Sequence, residues 1–215
     1  MPVPHLSEAL SFPPVSQAEP DGLVAIGGDL SPERLMLAYR SGIFPWFNED
    51  EPIMWYSPNP RSVLLPENLH ISGTLKGLLK QNKYEVRYNT DFRGVIGNCR
   101  QAPRVGQDGT WISQEMQDAY IRLHELGLAT SVEVWREEKL VGGIYGIDLG
   151  HVFCGESMFS LESNTSKIAL VTLVQDIQKR GGILFDCQVH STHVESMGAV
   201  EIPREEFVGY LEAGS

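Results

Sequence analysis

The sequence predicts an α+β fold in two parts, a small mixed N-terminal domain over residues 1–61 and a larger domain over 62–215. Three observations carry that prediction. Proline, glycine and aromatic residues crowd the first part of the chain. From Ser62 onward the apolar residues fall into helical and strand periods. Those periods run in the order helix, three-strand meander, helix, strand.

In chain order, Ser31-Pro-Glu-Arg34 has an N-cap residue followed by proline at the first helical position, and opens a short helix through Tyr39 that stops near Gly42. Phe44-Pro-Trp-Phe47 and Trp55-Tyr-Ser-Pro-Asn-Pro-Arg61 read as two rigid aromatic turns, either the wall of a binding site or a small aromatic core. Helices are expected over 71–81 and 91–102, with a strand over 84–88 between them. Ser113 caps a helix through Leu126, on which Met116, Tyr120, Leu123 and Leu126 recur at helical spacing. The meander follows, with strands over 131–135, 140–147 and 151–154 and turns over 136–139 and 148–150. An amphipathic helix over 166–180 is closed by Gly181 and Gly182. Ile183–Val189 reads as a buried strand, and Thr192-His-Val-Glu195 as a capping box for a short helix ending at Gly198. Helix, meander, helix, strand is the order of the N-acetyltransferase-like fold, which is therefore expected for 62–215.

Composition sets bounds. With 42% hydrophobic and 21% charged residues among 215, the chain can bury a proper core. No apolar run approaches the roughly 20 residues of a membrane helix, and the N-terminus does not read as a secretory signal, so a cytoplasmic protein is expected. Cys99, Cys154 and Cys187 are too few and too scattered for a disulfide framework or a zinc site. His190 and His193 lack a third ligand nearby and are expected as surface or capping residues, not metal ligands. The net charge of −11 is unevenly spread: 76–104 holds seven basic residues and two acidic ones, a local +5 against −16 elsewhere. Such a segment suits a solvated face and a phosphate-binding surface equally well.

Asp186 and Gln188 stand in the otherwise apolar strand 183–189 and, by alternation, share one of its faces. A carboxylate there is costly unless it is paired or used, so an ion pair and a polar site are the two readings. Gly155-Glu-Ser-Met-Phe159 is expected as a loop after the meander, its glycine letting backbone approach a ligand and Glu156 supplying a second carboxylate. The stretch 159–167 contains no glycine. It therefore lacks the backbone loop with which acetyltransferases cradle the coenzyme A pyrophosphate.

Together these strings resemble the bacterial leucyl/phenylalanyl-tRNA–protein transferases. The matching runs are Leu23-Val-Ala-Ile-Gly-Gly-Asp-Leu-Ser-Pro32, Ala38-Tyr-Arg-Ser-Gly-Ile-Phe-Pro-Trp46, Trp55–Arg61, Gly109-Thr-Trp-Ile112 and Gly142-Gly-Ile-Tyr-Gly146. Further on come Gly155-Glu-Ser-Met-Phe-Ser160, Asn164-Thr-Ser-Lys167, Asp186-Cys-Gln188 and Gly198-Ala-Val-Glu-Ile-Pro-Arg204. The resemblance implies an aminoacyltransferase that moves Leu or Phe from aminoacyl-tRNA to a protein beginning with Arg or Lys, marking it for N-end rule degradation. It implies neither cofactor nor metal, because the ester is already activated, and nothing demands more than a monomer.

By the same similarity, the amino-acid side chain would enter an apolar pocket formed by Ile144, Phe153, Met158, Leu170, Leu173, Ile177 and Phe185. Of these, Leu170, Leu173 and Ile177 share one helix face. Trp46 and Trp111 would stack on the terminal adenosine, with Tyr39 and Tyr120 beside them. The tRNA backbone would run along Lys76, Lys80, Lys83 and Arg87. An ordinary Asp, about four pKa units below an α-amino group, is a poor base for it at a cost of roughly 5 kcal/mol. Asp186, held by Gln188, is thus expected to orient the acceptor amine, and Glu156 to attract the acceptor's basic side chain. Two rivals are a coenzyme A-dependent N-acyltransferase, disfavoured by the missing cradle, and a non-catalytic adaptor for N-terminal residues.

Overall fold

The computed structural model describes residues 3–102 and 112–214. The elements in order are β1 (His5–Leu6), β2 (Leu23–Gly27), α1 (Pro32–Arg40), β3 (Phe44–Pro45), β4 (Met54–Tyr56), β5 (Arg61–Leu64), α2 (Gly73–Lys80), β6 (Glu85–Tyr88) and α3 (Phe92–Gln101). There follow α4 (Gln114–Glu125), β7 (Ala129–Arg136), β8 (Lys139–Asp148), β9 (Val152–Ser160), α5 (Thr165–Lys179), β10 (Leu184–Gln188), α6 (Thr192–Glu195), β11 (Val200–Ile202) and α7 (Arg204–Glu212). The mixed α/β architecture and the order helix, meander, helix, strand are as the sequence predicts.

The two aromatic stretches near the N-terminus are not isolated turns. Phe44–Pro45 and Met54–Tyr56 pair antiparallel and join a four-stranded sheet of order β1-β2-β4-β3. Trp55 is fully buried there, its indole N–H donating to Gly27 O at 2.8 Å with Phe12 edge-on, so this tryptophan is core and not wall. The larger sheet has the order β11-β5-β10-β9-β8-β7-β6. In it, among the described residues, β9 and β10 run parallel, joined by the α5 crossover, and the other pairs are antiparallel.

Two layers of helix cover the larger sheet. On one face α5 lays Ile168, Leu170, Leu173 and Ile177 against Val132, Val134, Ile144, Phe153 and Phe185. On the other, α3 and α4 pack with Tyr145, Ile147, Cys154 and Leu184 in a cluster that continues into Tyr39, Phe44 and Trp55 of the small sheet and its helix. Local chemistry fixes the joints. Ser31 and Ser113 cap α1 and α4 as expected, accepting from Arg34 N at 3.4 Å and Met116 N at 3.1 Å. Glu133, buried on β7, accepts the amides of Thr90 and Asp91 at 2.9 Å and the Ser131 hydroxyl at 2.8 Å, which ties the start of α3 to the sheet. The capping residue of α6 is Ser191, one position earlier than the predicted capping box.

One strand is longer than its sequence suggests. The predicted loop over 155–159 continues β9 instead, paired with β8 as far as Ser160. Its residues Gly155, Glu156 and Ser157 break the apolar alternation, but the backbone ladder does not stop there.

Candidate active site

β9 and β10 pair only as far as Cys154 and Asp186. Beyond that point each strand carries a bulge. On β9 the register with β8 shifts from Gly146↔Gly155 to Tyr145↔Ser157, leaving Glu156 as the extra residue. On β10 the register with β5 shifts from Asp186↔Val63 to Gln188↔Ser62, leaving Cys187 as the extra residue. Gln188 then takes a left-handed backbone (φ 65°), unusual outside glycine and costing on the order of 1–3 kcal/mol. Bulges re-aim side chains, and these two turn Glu156 and Gln188 toward each other.

Gln188 donates from Nε2 to Glu156 Oε1 at 2.7 Å. Tyr39 from α1 donates to the same oxygen at 2.7 Å, and Tyr120 from α4 donates to Oε2 at 2.9 Å. The two phenol oxygens also touch each other. Glu156 is only 9% exposed. Burial pushes its carboxyl up to about 7, while the bonds from Tyr39, Tyr120 and Gln188 pull it down and the charge of Asp186 adds to the rise. The sequence expectations brought these four residues to one region, but with other partners. Tyr39 and Tyr120 both give their hydroxyls to Glu156. Glu156 is enclosed by three donors, so it does not stand open to a basic side chain.

Asp186 has a partner that the sequence reading did not name. The bulge at Cys187 interrupts the alternation that linked it to Gln188, and both its oxygens are taken by Arg61, Nε to Oδ1 at 2.8 Å and Nη2 to Oδ2 at 2.7 Å. Oδ1 also accepts the backbone amide of Gln188 at 2.9 Å. Both members of the pair are fully buried. Arg61 donates further to Gly42 O at 3.1 Å and lies between the rings of Phe44 and Phe207. Of the two readings of a carboxylate in an apolar strand, the geometry is that of the ion pair, one whose acid also steadies Gln188. Sequence reasoning did not single out Arg61. Its signal was there: a lone arginine stands just before the apolar run Val63–Leu65, the counterpart of the lone aspartate in the other strand.

Ile144, Phe153, Leu170, Leu173, Ile177 and Phe185 gather in one buried cluster on the α5 side, with Met158 half-buried against it. The rings of Phe153 and Phe185 stack at 5.8 Å. Gly155 lets the Phe185 ring lie against the strand, because a Cβ there would overlap it. Trp46 sits at the surface of the small sheet, 38% exposed and edge-on to Tyr56. Trp111 lies outside the described residues, as does Arg104 of the basic segment.

The four basic residues assigned to the tRNA backbone divide. Lys83 pairs with Glu162 at 3.2 Å, and Arg87 pairs with Glu85 and Glu138 while lying over Trp135. Lys76 and Lys80 are exposed on α2 without an ion pair among the described residues. His190 pairs with Glu195 at the surface at 3.2 Å. Among the described residues, no group of three or more His, Cys, Asp or Glu is placed to hold a metal ion.

Comparison with known proteins fixes the class. Residues 63–212 match the family model for leucyl/phenylalanyl-tRNA protein transferase, and residues 28–59 match that for its N-terminal domain. The leucyl/phenylalanyl-tRNA–protein transferase of Flavobacterium johnsoniae is 56% identical over 97% of this chain and 99% of its own. That of Christiangramia forsetii is 53% identical (93% and 95%), and that of Ectopseudomonas mendocina 52% (95% and 91%). Among solved structures, L-PGS from Bacillus licheniformis aligns at a TM-score of 0.41 with 13% identity, covering 75% of this chain and 52% of that one. A GCN5-related N-acetyltransferase from Kribbella flavida aligns at 0.38 with 12% identity, covering 79% and 60%. The chain is thus a transferase enzyme. It belongs to the leucyl/phenylalanyl-tRNA–protein transferase family.

Proposed function

We propose that the chain transfers Leu or Phe from aminoacyl-tRNA to the N-terminal Arg or Lys of an acceptor protein in the cytoplasm, marking it for N-end rule degradation. Family membership supports the reaction class. The observation that carries the site is the Glu156–Gln188 pair held by Tyr39 and Tyr120. With Nε2 given to Glu156, Gln188 has its Oε1 left to accept a hydrogen from the incoming amine. The amine nitrogen attacks the ester carbonyl, the C–N bond forms as the bond to the ribose oxygen breaks, and the amine's proton leaves with that oxygen. Catalysis is then chiefly alignment, which needs a fixed amide more than a strong base. In this reading Asp186 is a positioning residue that works through Arg61 and the Gln188 backbone. The apolar cluster around Phe153 and Phe185 receives the Leu or Phe side chain, while Lys76 and Lys80 offer charge to the tRNA backbone.

The test is incubation with radiolabelled Phe-tRNA and an Arg-starting peptide, with acetyl-coenzyme A as the comparison donor. We expect Phe transfer by the wild type and a loss on the order of 10–100-fold in kcat for Gln188→Ala, the scale of a misplaced reactant. Acyl transfer from coenzyme A alone, or full activity of the variant, would refute this assignment.

A further inference from the structure

A cavity of about 440 Å³ opens beside Met158, between the end of β9, the start of α5 and α6. Among the described residues its polar lining is Ser160, Asn164, Ser166, Lys167 and His193, with no carboxylate, in a chain of net charge −11. Lys167 reaches only a neutral partner, the Ser196 hydroxyl at 3.3 Å, and makes no ion pair among the described residues. His193 Nε2 is buried with no hydrogen-bond partner among the described residues. Burial, and then the nearby charge of Lys167, hold its imidazole below the ordinary value. Two nitrogens on different elements thus border one space, one with only a neutral hydroxyl as partner and the other with none among the described residues, an arrangement an anion would complete. The Ser160 hydroxyl holds the first turn of α5 in place, donating to Ser166 Oγ at 2.8 Å and accepting Ser166 N at 2.9 Å.

The position identifies the anion. Met158 borders both this cavity and the apolar cluster assigned to the esterified amino acid. We infer that the cavity takes the phosphate on the 5′ side of the donor's terminal adenosine, with Lys167 and His193 as its donors. Side chains thereby replace the backbone cradle that the glycine-free stretch 159–167 cannot form. This inference rests on the transferase reading above, and the experiment keeps the two apart.

Phe transfer from whole Phe-tRNA is measured with adenosine or adenosine 5′-monophosphate as competitor. The monophosphate should inhibit the wild type about tenfold more strongly, the scale of one hydrogen bond to a charged group. Lys167→Ala should abolish that advantage and Lys167→Arg should keep it. Equal inhibition of the wild type by the two competitors would overturn the inference, as would a Lys167→Ala variant that weakens both alike. Inorganic phosphate is the third arm: inhibition matching the monophosphate would assign the cavity to the free anion instead. Failure of the transferase reading shows separately, as no Phe transfer by the wild type without competitor.

Discussion

Glu156 is enclosed by three donors, and its burial makes the proton hard to remove. In the unfolded chain that proton leaves near 4.5, whereas in the folded chain it stays until about 7. Between those values the folded state binds more protons than the unfolded one, so stability falls as pH rises through the window and levels off above it. The shift corresponds to about 3 kcal/mol. Glu156→Gln carries no such proton. Urea unfolding at pH 5 and pH 8 should therefore show the wild type losing stability relative to the variant by roughly that amount. Parallel curves for the two proteins across this range would mean that Glu156 is ionised throughout.

At the scale of elements, the site is made by two irregularities and the glycine beside one of them. Gly155 precedes the Glu156 bulge and faces the Phe185 ring. Gly155→Ala should displace that ring, costing about 1–3 kcal/mol as overpacking does. It should also raise KM for Phe-tRNA more than for the acceptor peptide, because the ring belongs to the apolar cluster and not to the Glu156 network. Thermal unfolding and paired KM measurements check this, and an unchanged KM would detach Phe185 from the donor. The same elements show how far the sequence could be read. Helices α1, α4 and α5 were legible because caps and 3.6-residue spacing are local signals. Strand β10 was legible as an apolar run, and Asp186 and Gln188 stood out within it. The bulges were not legible. A one-residue register shift depends on which strand lies alongside, and it leaves no mark in composition. For that reason Glu156 read as a loop residue, and Tyr39 and Tyr120, which lie 81 positions apart, could not be assigned to its two oxygens. The small N-terminal sheet was hidden similarly, since three of its four strands have only two or three residues and carry no periodicity.

Across the whole molecule, the Arg61–Asp186 pair ties the N-terminal part to the larger sheet. Arg61 joins β5 to β10 through Asp186, reaches the turn after α1 through Gly42 O, and lies between Phe44 of β3 and Phe207 of α7. Removing one member of so buried a pair strands the other without water, at a cost of about 3–5 kcal/mol. Asp186→Asn should therefore destabilise the entire fold by that order and lower transfer through displacement of Gln188. Replacing both members by apolar residues, Arg61→Met with Asp186→Leu, should restore stability to near or above the wild type, because an apolar pair carries no desolvation penalty. Transfer should stay low in the double variant, since the Gln188 amide has lost the oxygen that held it. Denaturant midpoints give the first comparison and single-turnover rates the second. An Asp186→Asn protein with wild-type stability and crippled transfer would place Asp186 at the reacting atoms, not behind them.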